Sequence, residues 1–371
     1  MTTGGQPRTR LDRLTSLRFF AALAVFCFHA TAFFTGPVRD ILDFLFGQGR
    51  SGVTFFFILS GFVLAWSSRV DDHPLSFYRR RFARIYPAYL VALLFAAVLW
   101  LLRDPLALLR GPLAPFLLQA WVPDSNSYFA INVPAWSLSV EAFFYLAFPL
   151  VVKVIRPLAA SGLWIVSGAA ILVTSTVAFV ASLTTSASQL DANTFAVWFA
   201  IYFPLARLPE FVLGVALALL MKRGALPRIS WYFSVSFFLA VWCCMSIWPT
   251  IYNVAAVCMV PFGALIVSAA QRDIEGKPGL LRMPLLVSGG AISYCFYLLH
   301  HIFILRLSQR GFAELGLTGW GAFTVTLLLS ITGAWLLHRY VELPMDNMLG
   351  RQRKSLSRSP TDDQKARRSR G

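Results

Sequence analysis

Ten mostly apolar stretches, each near the thickness of a bilayer core, alternate along this chain with short polar or basic segments. They run over 17–35, 52–68, 85–102, 134–152, 162–183, 194–221, 229–248, 251–270, 284–305 and 318–337. Crossing hydrocarbon takes about 20 helical residues at 1.5 Å each, and within lipid a helix satisfies its own backbone hydrogen bonds. The pattern therefore predicts an all-α polytopic membrane protein of about ten transmembrane helices. An even count places both termini on one side.

Composition agrees: of 371 residues 57% are hydrophobic and 13% charged, against roughly 25% charged in soluble domains. A water-soluble globule is excluded. The formal charge of +16, from 33 basic and 17 acidic residues, raises nucleic acid as a partner, but its placement argues otherwise. Assigned to alternate sides of the ten spans, 26 Lys and Arg fall on the side of the termini and 6 on the other, with Arg207 inside a span. Positive residues gather on the cytoplasmic face, so both termini are expected in the cytoplasm of a cell whose inner membrane holds the chain, with no nucleic-acid partner. The five cysteines lie in apolar stretches without metal-ligand spacing and read as core residues. Met1–Arg13 is polar and basic, and no small-residue cleavage site follows it. We divide the chain into a membrane domain at 1–345 and a basic tail at 346–371, with the run from Gly350 expected to be disordered. The tail suits anionic lipid head groups or serves only as a solvated topology signal.

A titratable residue at bilayer depth costs at least ~2.5 kcal/mol, so each needs a reason. His29, Glu141, the pair Arg207 and Glu210, and His300 with His301 are in this position. Counted from the span borders, His29 and Glu141 lie about 9–10 Å below the same face, and His300 falls in that layer. They form either one site or separate interhelical hydrogen bonds. Arg18 precedes His29 by 11 residues, which sets both on one helical face about 16 Å apart. A long ligand with an anionic head and a reactive far end fits that spacing; a cation at a helix end is also what topology requires. Arg79, Arg80, Arg81 and Arg84 cluster at the start of the third span, and guanidinium forks suit phosphate. No GxxxxGK[ST] or GxGxxG loop is present, so a nucleotide would be held by side chains.

Seven segments in order carry a resemblance: Leu17-Arg18-Phe19-Phe20-Ala21-Ala22 leading to His29; Gly52 to Phe62; Arg81-Phe82-Ala83-Arg84-Ile85-Tyr86-Pro87; Trp136-Ser137-Leu138-Ser139-Val140-Glu141 to Tyr145; Arg207-Leu208-Pro209-Glu210 to Gly214; Ile292 to His300; and Tyr340-Val341-Glu342-Leu343-Pro344. The chain resembles the acyltransferase-3 family of integral-membrane O-acyltransferases over about residues 11–345. Cys295 stands where that family often has Ser.

The resemblance implies transfer of an acyl group, usually acetyl from acetyl-CoA, to a hydroxyl of a glycan, glycolipid or other envelope or secreted acceptor, a macrolide-type secondary metabolite included, without a metal. It implies that His29, Arg18, Arg81 and Arg84 are essential. On this reading Arg18 and Arg79 to Arg84 clamp the phosphates of cytoplasmic acyl-CoA. His29 is general base or acyl carrier, with Glu141 orienting it. Ser137, Tyr297 and His300 are candidate donors to the thioester oxygen, and Arg207 and Glu210 support the site. The competing reading is a proton-coupled small-molecule transporter with His29, Glu141, Arg207 and Glu210 as its relay; a cytoplasmic arginine cluster is superfluous to such a carrier. The sequence carries no signal of oligomeric state.

Overall fold

A computed structural model describes residues 10–68, 73–102, 109, 111–185, 192–246, 252, 254–306 and 318–351, with the side chains of 349–351 left aside. Among these residues no strand occurs. The helices are α1 (Asp12–Ala30), α2 (Gly36–Phe46), α3 (Gly52–Ser67), α4 (Pro74–Leu101), α5 (Trp136–Ile155), α6 (Ala160–Ser182), α7 (Pro204–Lys222), α8 (Trp231–Met245), α9 (Met259–Ile274), α10 (Pro284–Arg306), α11 (Trp320–Leu337) and α12 (Leu343–Arg351). The protein is an all-α polytopic membrane protein. Among the described residues, eight helical segments are long and apolar enough to cross a membrane. Each of the ten expected stretches contains a helix among the described residues, but α8 and α9 span 15 and 16 residues, below that length. Helix α12 runs past the expected boundary at 345, and the basic run after Arg351 lies outside the described residues.

Lipid offers little hydrophobic drive between helices, so close backbone approach through small residues sets the packing. Helix α3 packs on α7, and α1 on α10. A Cβ on Gly61 would lie 2.0 Å from the Phe211 carbonyl oxygen, and one on Gly214 would lie 1.9 Å from that of Ile58. These two glycines let α3 and α7 touch backbone to backbone. The outward faces stay apolar: Leu146, Leu150 and Val154 on α5 and Ile165 and Leu172 on α6 are exposed, as a lipid boundary requires.

The first turn of α1 is clamped by a buried ion pair. Arg13 Nη1 donates to Asp273 Oδ1 at 2.5 Å, its backbone N–H to Asp273 Oδ2 at 2.8 Å, and its Nη2 to the carbonyls of Lys277 and Pro278. Arg13 thus ties α1 to the end of α9, a structural role beyond the topological one its position suggested. Between α1 and α3 lies α2, an amphipathic helix with no buried residue.

Candidate active site

Arg18 and His29 sit on the single continuous helix α1, about 16 Å apart along its axis. Helix α4 brings Arg81 and Arg84 to one face, three residues apart. With Glu141 and Tyr145 of α5 and Tyr294 and Tyr297 of α10, they line a pocket enclosing about 890 Å³ of space open to solvent. Its α3 wall runs from Val53 to Leu64, three helical turns or about 16 Å. Arg79 and Arg80, expected in the phosphate clamp with Arg81 and Arg84, do not line the pocket.

Among the described residues, Arg18, Arg81 and Arg84 have no hydrogen-bond or ion-pair partner. Arg81 lies over the Phe77 ring at 5.8 Å. Three guanidinium groups face one pocket with no described carboxylate in ion-pair range, Glu141 and Glu342 acting on them only from farther off, and such a set can hold an anion. The Glu141 carboxylate accepts from the Tyr145 hydroxyl and, at 3.5 Å, more weakly from Ser60.

Opposite the arginines the pocket ends at Ser137 and Tyr297, whose hydroxyl oxygens stand 2.8 Å apart and share the Pro134 carbonyl at 2.9 and 3.3 Å. One turn further along α10, His300 Nδ1 faces the Tyr297 carbonyl at 2.8 Å, and His300 Nε2 meets His29 Nδ1 at 3.3 Å. His29 Nδ1 also faces the Val25 carbonyl at 3.0 Å, and the His301 ring lies 4.7 Å away centroid to centroid. The network assigns the protons. A carbonyl only accepts, so His300 carries its proton on Nδ1 and offers a lone pair at Nε2; His29 then donates Nδ1–H to Val25 and His300. His29 Nε2 is left with its lone pair, the form a base requires.

The expected contact between His29 and Glu141 is absent among the described residues. Helix α1 ends at Ala30 instead of near 35, which puts His29 at its very end, while Glu141 lies five residues inside α5. A Cβ on Gly52, at the start of α3, would meet Ala21 and Val25. The pocket's Val53 end is thus level with Val25, and His29 lies about one turn beyond it. His300, not Glu141, orients His29. Ser137 and Tyr297 stand between the two groups, bonded to each other.

The acyltransferase-3 domain profile matches residues 11–339. The chain belongs to the acyltransferase-3 family. It is 36% identical to the acyltransferase MdmB of Streptomyces mycarofaciens over 366 residues, 93% of this chain and 94% of that protein. It is 33% identical to the exopolysaccharide production protein ExoZ of Rhizobium meliloti over 109 residues, 28% of this chain and 34% of the relative. No solved structure matches the chain.

Two other polar groups of this acyltransferase lie outside the pocket. Arg207 and Glu210 pair on α7 with Nε and Oε1 at 2.9 Å, and Arg207 Nη2 donates to Thr54 of α3 at 2.9 Å. Both are fully buried, beside the Gly61 and Gly214 contact, and the Thr54 bond ties α7 to α3 at that crossing. Glu342 lies in a π-helical turn, His338–Glu342, and accepts from Cys295 Sγ at 3.2 Å and His338 Nδ1 at 2.8 Å. These three donor atoms lie within 4.8 Å of one another and are of metal-binding kind, but here each is committed to the others.

Sequence reasoning named no role for Ser60, Tyr145 or Tyr294 in the pocket. Tyr145 sits four residues after Glu141, so the helical period was a usable signal. Ser60 and Tyr294 were identified only as parts of motifs.

Proposed function

We propose that the acyltransferase moves an acyl group, most simply acetyl, from acyl-CoA to a hydroxyl of a glycan, glycolipid or other envelope or secreted molecule, secondary metabolites such as macrolides included. The observation that carries this reading is the set of three guanidinium groups outside ion-pair range of any described carboxylate around one pocket, with an imidazole lone pair one turn beyond its Val53 end. Coenzyme A has phosphates for Arg18, Arg81 and Arg84, and a thin arm that fits the apolar wall of α3. The positive-inside distribution of Lys and Arg supports a cytoplasmic position for that end of the bundle in an inner membrane, the side on which the donor is made.

His29 Nε2 takes the proton of the acceptor hydroxyl as that oxygen attacks the thioester carbonyl. The carbonyl's C–S bond breaks as the ester forms, and the proton returns to the departing thiolate, so the products are the ester and free thiol. Ser137 and Tyr297 hydroxyls, at the pocket's closed end, are the nearest donors for the developing oxyanion. For the acyl group to meet His29 their mutual bond opens. The relative matched over about a third of its length is named for exopolysaccharide production, which keeps a glycan among the acceptors.

The test is purified protein with acetyl-CoA labelled in the acetyl group and candidate hydroxyl acceptors, scored for free thiol and labelled ester together. Both are expected in equal amounts. Substrate movement across vesicles without thiol release would instead support a carrier.

A further inference from the structure

A carboxylate in a phosphate site needs an explanation. Among the described residues that line the pocket, Glu141 is the one acidic group, beside Arg18, Arg81 and Arg84. It is within ion-pair distance of none of them, so it does not act as their salt-bridge partner. Its hydrogen-bond donors, Tyr145 and Ser60, are neutral, and a carboxylate has about four lone-pair positions. Two directions of a charged acceptor therefore remain for a ligand, in a place where its charge opposes phosphate.

Position narrows the ligand. Ser137, at the closed end, precedes Glu141 by one turn of α5, about 6 Å. Arg81 and Arg84 lie toward the other end: the Tyr78 hydroxyl, on the turn before Arg81, donates to the Leu146 carbonyl beyond Tyr145 on α5, and the Ile85 carbonyl accepts from Tyr294, one turn before Tyr297 on α10. Glu141 thus stands between the group that meets phosphate and the group nearest the thioester. In coenzyme A that interval is the pantetheine arm, whose polar donors are two amide N–H groups and one hydroxyl. An amide N–H is what a carboxylate accepts without any need for opposite charge.

We propose that Glu141, steadied by Tyr145 and Ser60, binds the amide N–H groups of the donor's pantetheine arm. It is a donor-binding residue and not the partner of His29. The inference rests on the coenzyme A reading above.

The experiment measures binding of three probes to full-length protein in detergent micelles by calorimetry: coenzyme A, adenosine 3′,5′-bisphosphate, which has phosphates and no arm, and pantetheine, which has the arm alone. In Glu141→Ala the bisphosphate binds as well as to wild type or more tightly, because a repelling charge is gone. The affinity advantage of coenzyme A over the bisphosphate falls about ten-fold or more, the loss of hydrogen bonds to a charged acceptor, and pantetheine weakens in parallel. Glu141→Gln, which keeps an accepting oxygen, retains most of that advantage while still tightening the bisphosphate; it carries the test if the Ala variant does not fold. An unchanged advantage in Glu141→Ala overturns the inference, as does equal weakening of coenzyme A and bisphosphate, which would make Glu141 an organiser of the arginines. If wild-type protein binds neither coenzyme A nor the bisphosphate, the coenzyme A reading itself fails and takes this inference with it.

Discussion

His300 Nε2 lies 3.3 Å from His29 Nδ1, and together with the Val25 carbonyl at 3.0 Å this contact fixes which nitrogen of His29 is free to act. Two helices far apart in sequence, α1 and α10, meet here because a Cβ on Gly290 would lie 1.8 Å from the Thr15 carbonyl oxygen. Only glycine permits that approach. The pairing of histidines at one end of the two helices is thus a consequence of a small residue at the other.

Replacing His29 with Ala should lower acyl transfer about 10²–10⁴-fold, the usual contribution of a positioned base, with coenzyme A affinity unchanged. His300→Ala should cost less, roughly three- to ten-fold in kcat, because one hydrogen bond of about 0.5–1.5 kcal/mol is lost and Val25 still holds the Nδ1 proton. Steady-state kinetics beside calorimetric binding separates the two. Equal losses would show that His300 itself takes part in proton transfer.

Removing Arg81 or Arg84 should act on the donor and not on the acceptor. Each charge-assisted contact to phosphate is worth about 1.5–3 kcal/mol, so each Ala variant should raise the coenzyme A Kd roughly ten- to hundred-fold. Lys should recover part of it, since the charge returns without the planar fork. Arg79→Ala, outside the pocket, should change Kd far less; a comparable loss would place the phosphates elsewhere on α4.

Breaking the clamp on α1 should unfold the protein without touching chemistry. Asp273→Ala leaves Arg13 buried beside carbonyls and without its counter-charge, a change that typically costs about 3–5 kcal/mol. Thermal unfolding in detergent should show a marked fall in Tm. The surviving folded fraction should turn over normally, as neither residue lines the pocket.

Enlarging Gly61 or Gly214 should separate α3 from α7. Gly214→Ala sets a methyl 1.9 Å from the Ile58 carbonyl oxygen, closer than any real contact, so the backbones must part. Lower yield of folded protein and a lower Tm are expected. Gly168→Ala, where a Cβ would meet nothing within 4 Å, is the matched control and should be silent.

The residues that matter most were legible for different reasons. Arg18 and His29 could be placed on one face because a single helix fixes their spacing. Arg81 and Arg84 share a face by the same rule, but the sequence grouped Arg79 and Arg80 with them, and only the structure set those two outside the pocket, since Arg80 and Arg84 are also one helical turn apart. The depth match between His29 and Glu141 failed because it depended on where α1 stops. A 3-10 turn over Thr31–Phe33 replaces the last apolar residues of the expected span, and apolar composition does not mark such an end.

By itself, the sequence determined what depends on local period and composition: ten helical stretches, their lipid-facing surfaces, and the cations and histidines spaced along them. Membrane helices satisfy their backbones internally, so each element is set by its own residues. Only the tertiary structure decided which polar groups meet. Side chains of α1, α3, α4, α5 and α10 converge through glycine contacts and helix ends whose offset of a single turn, about 5.4 Å, is enough to trade one partner for another. That offset gave His29 to His300 and left Glu141 in the arginine pocket, one turn from the bonded Ser137 and Tyr297 hydroxyls.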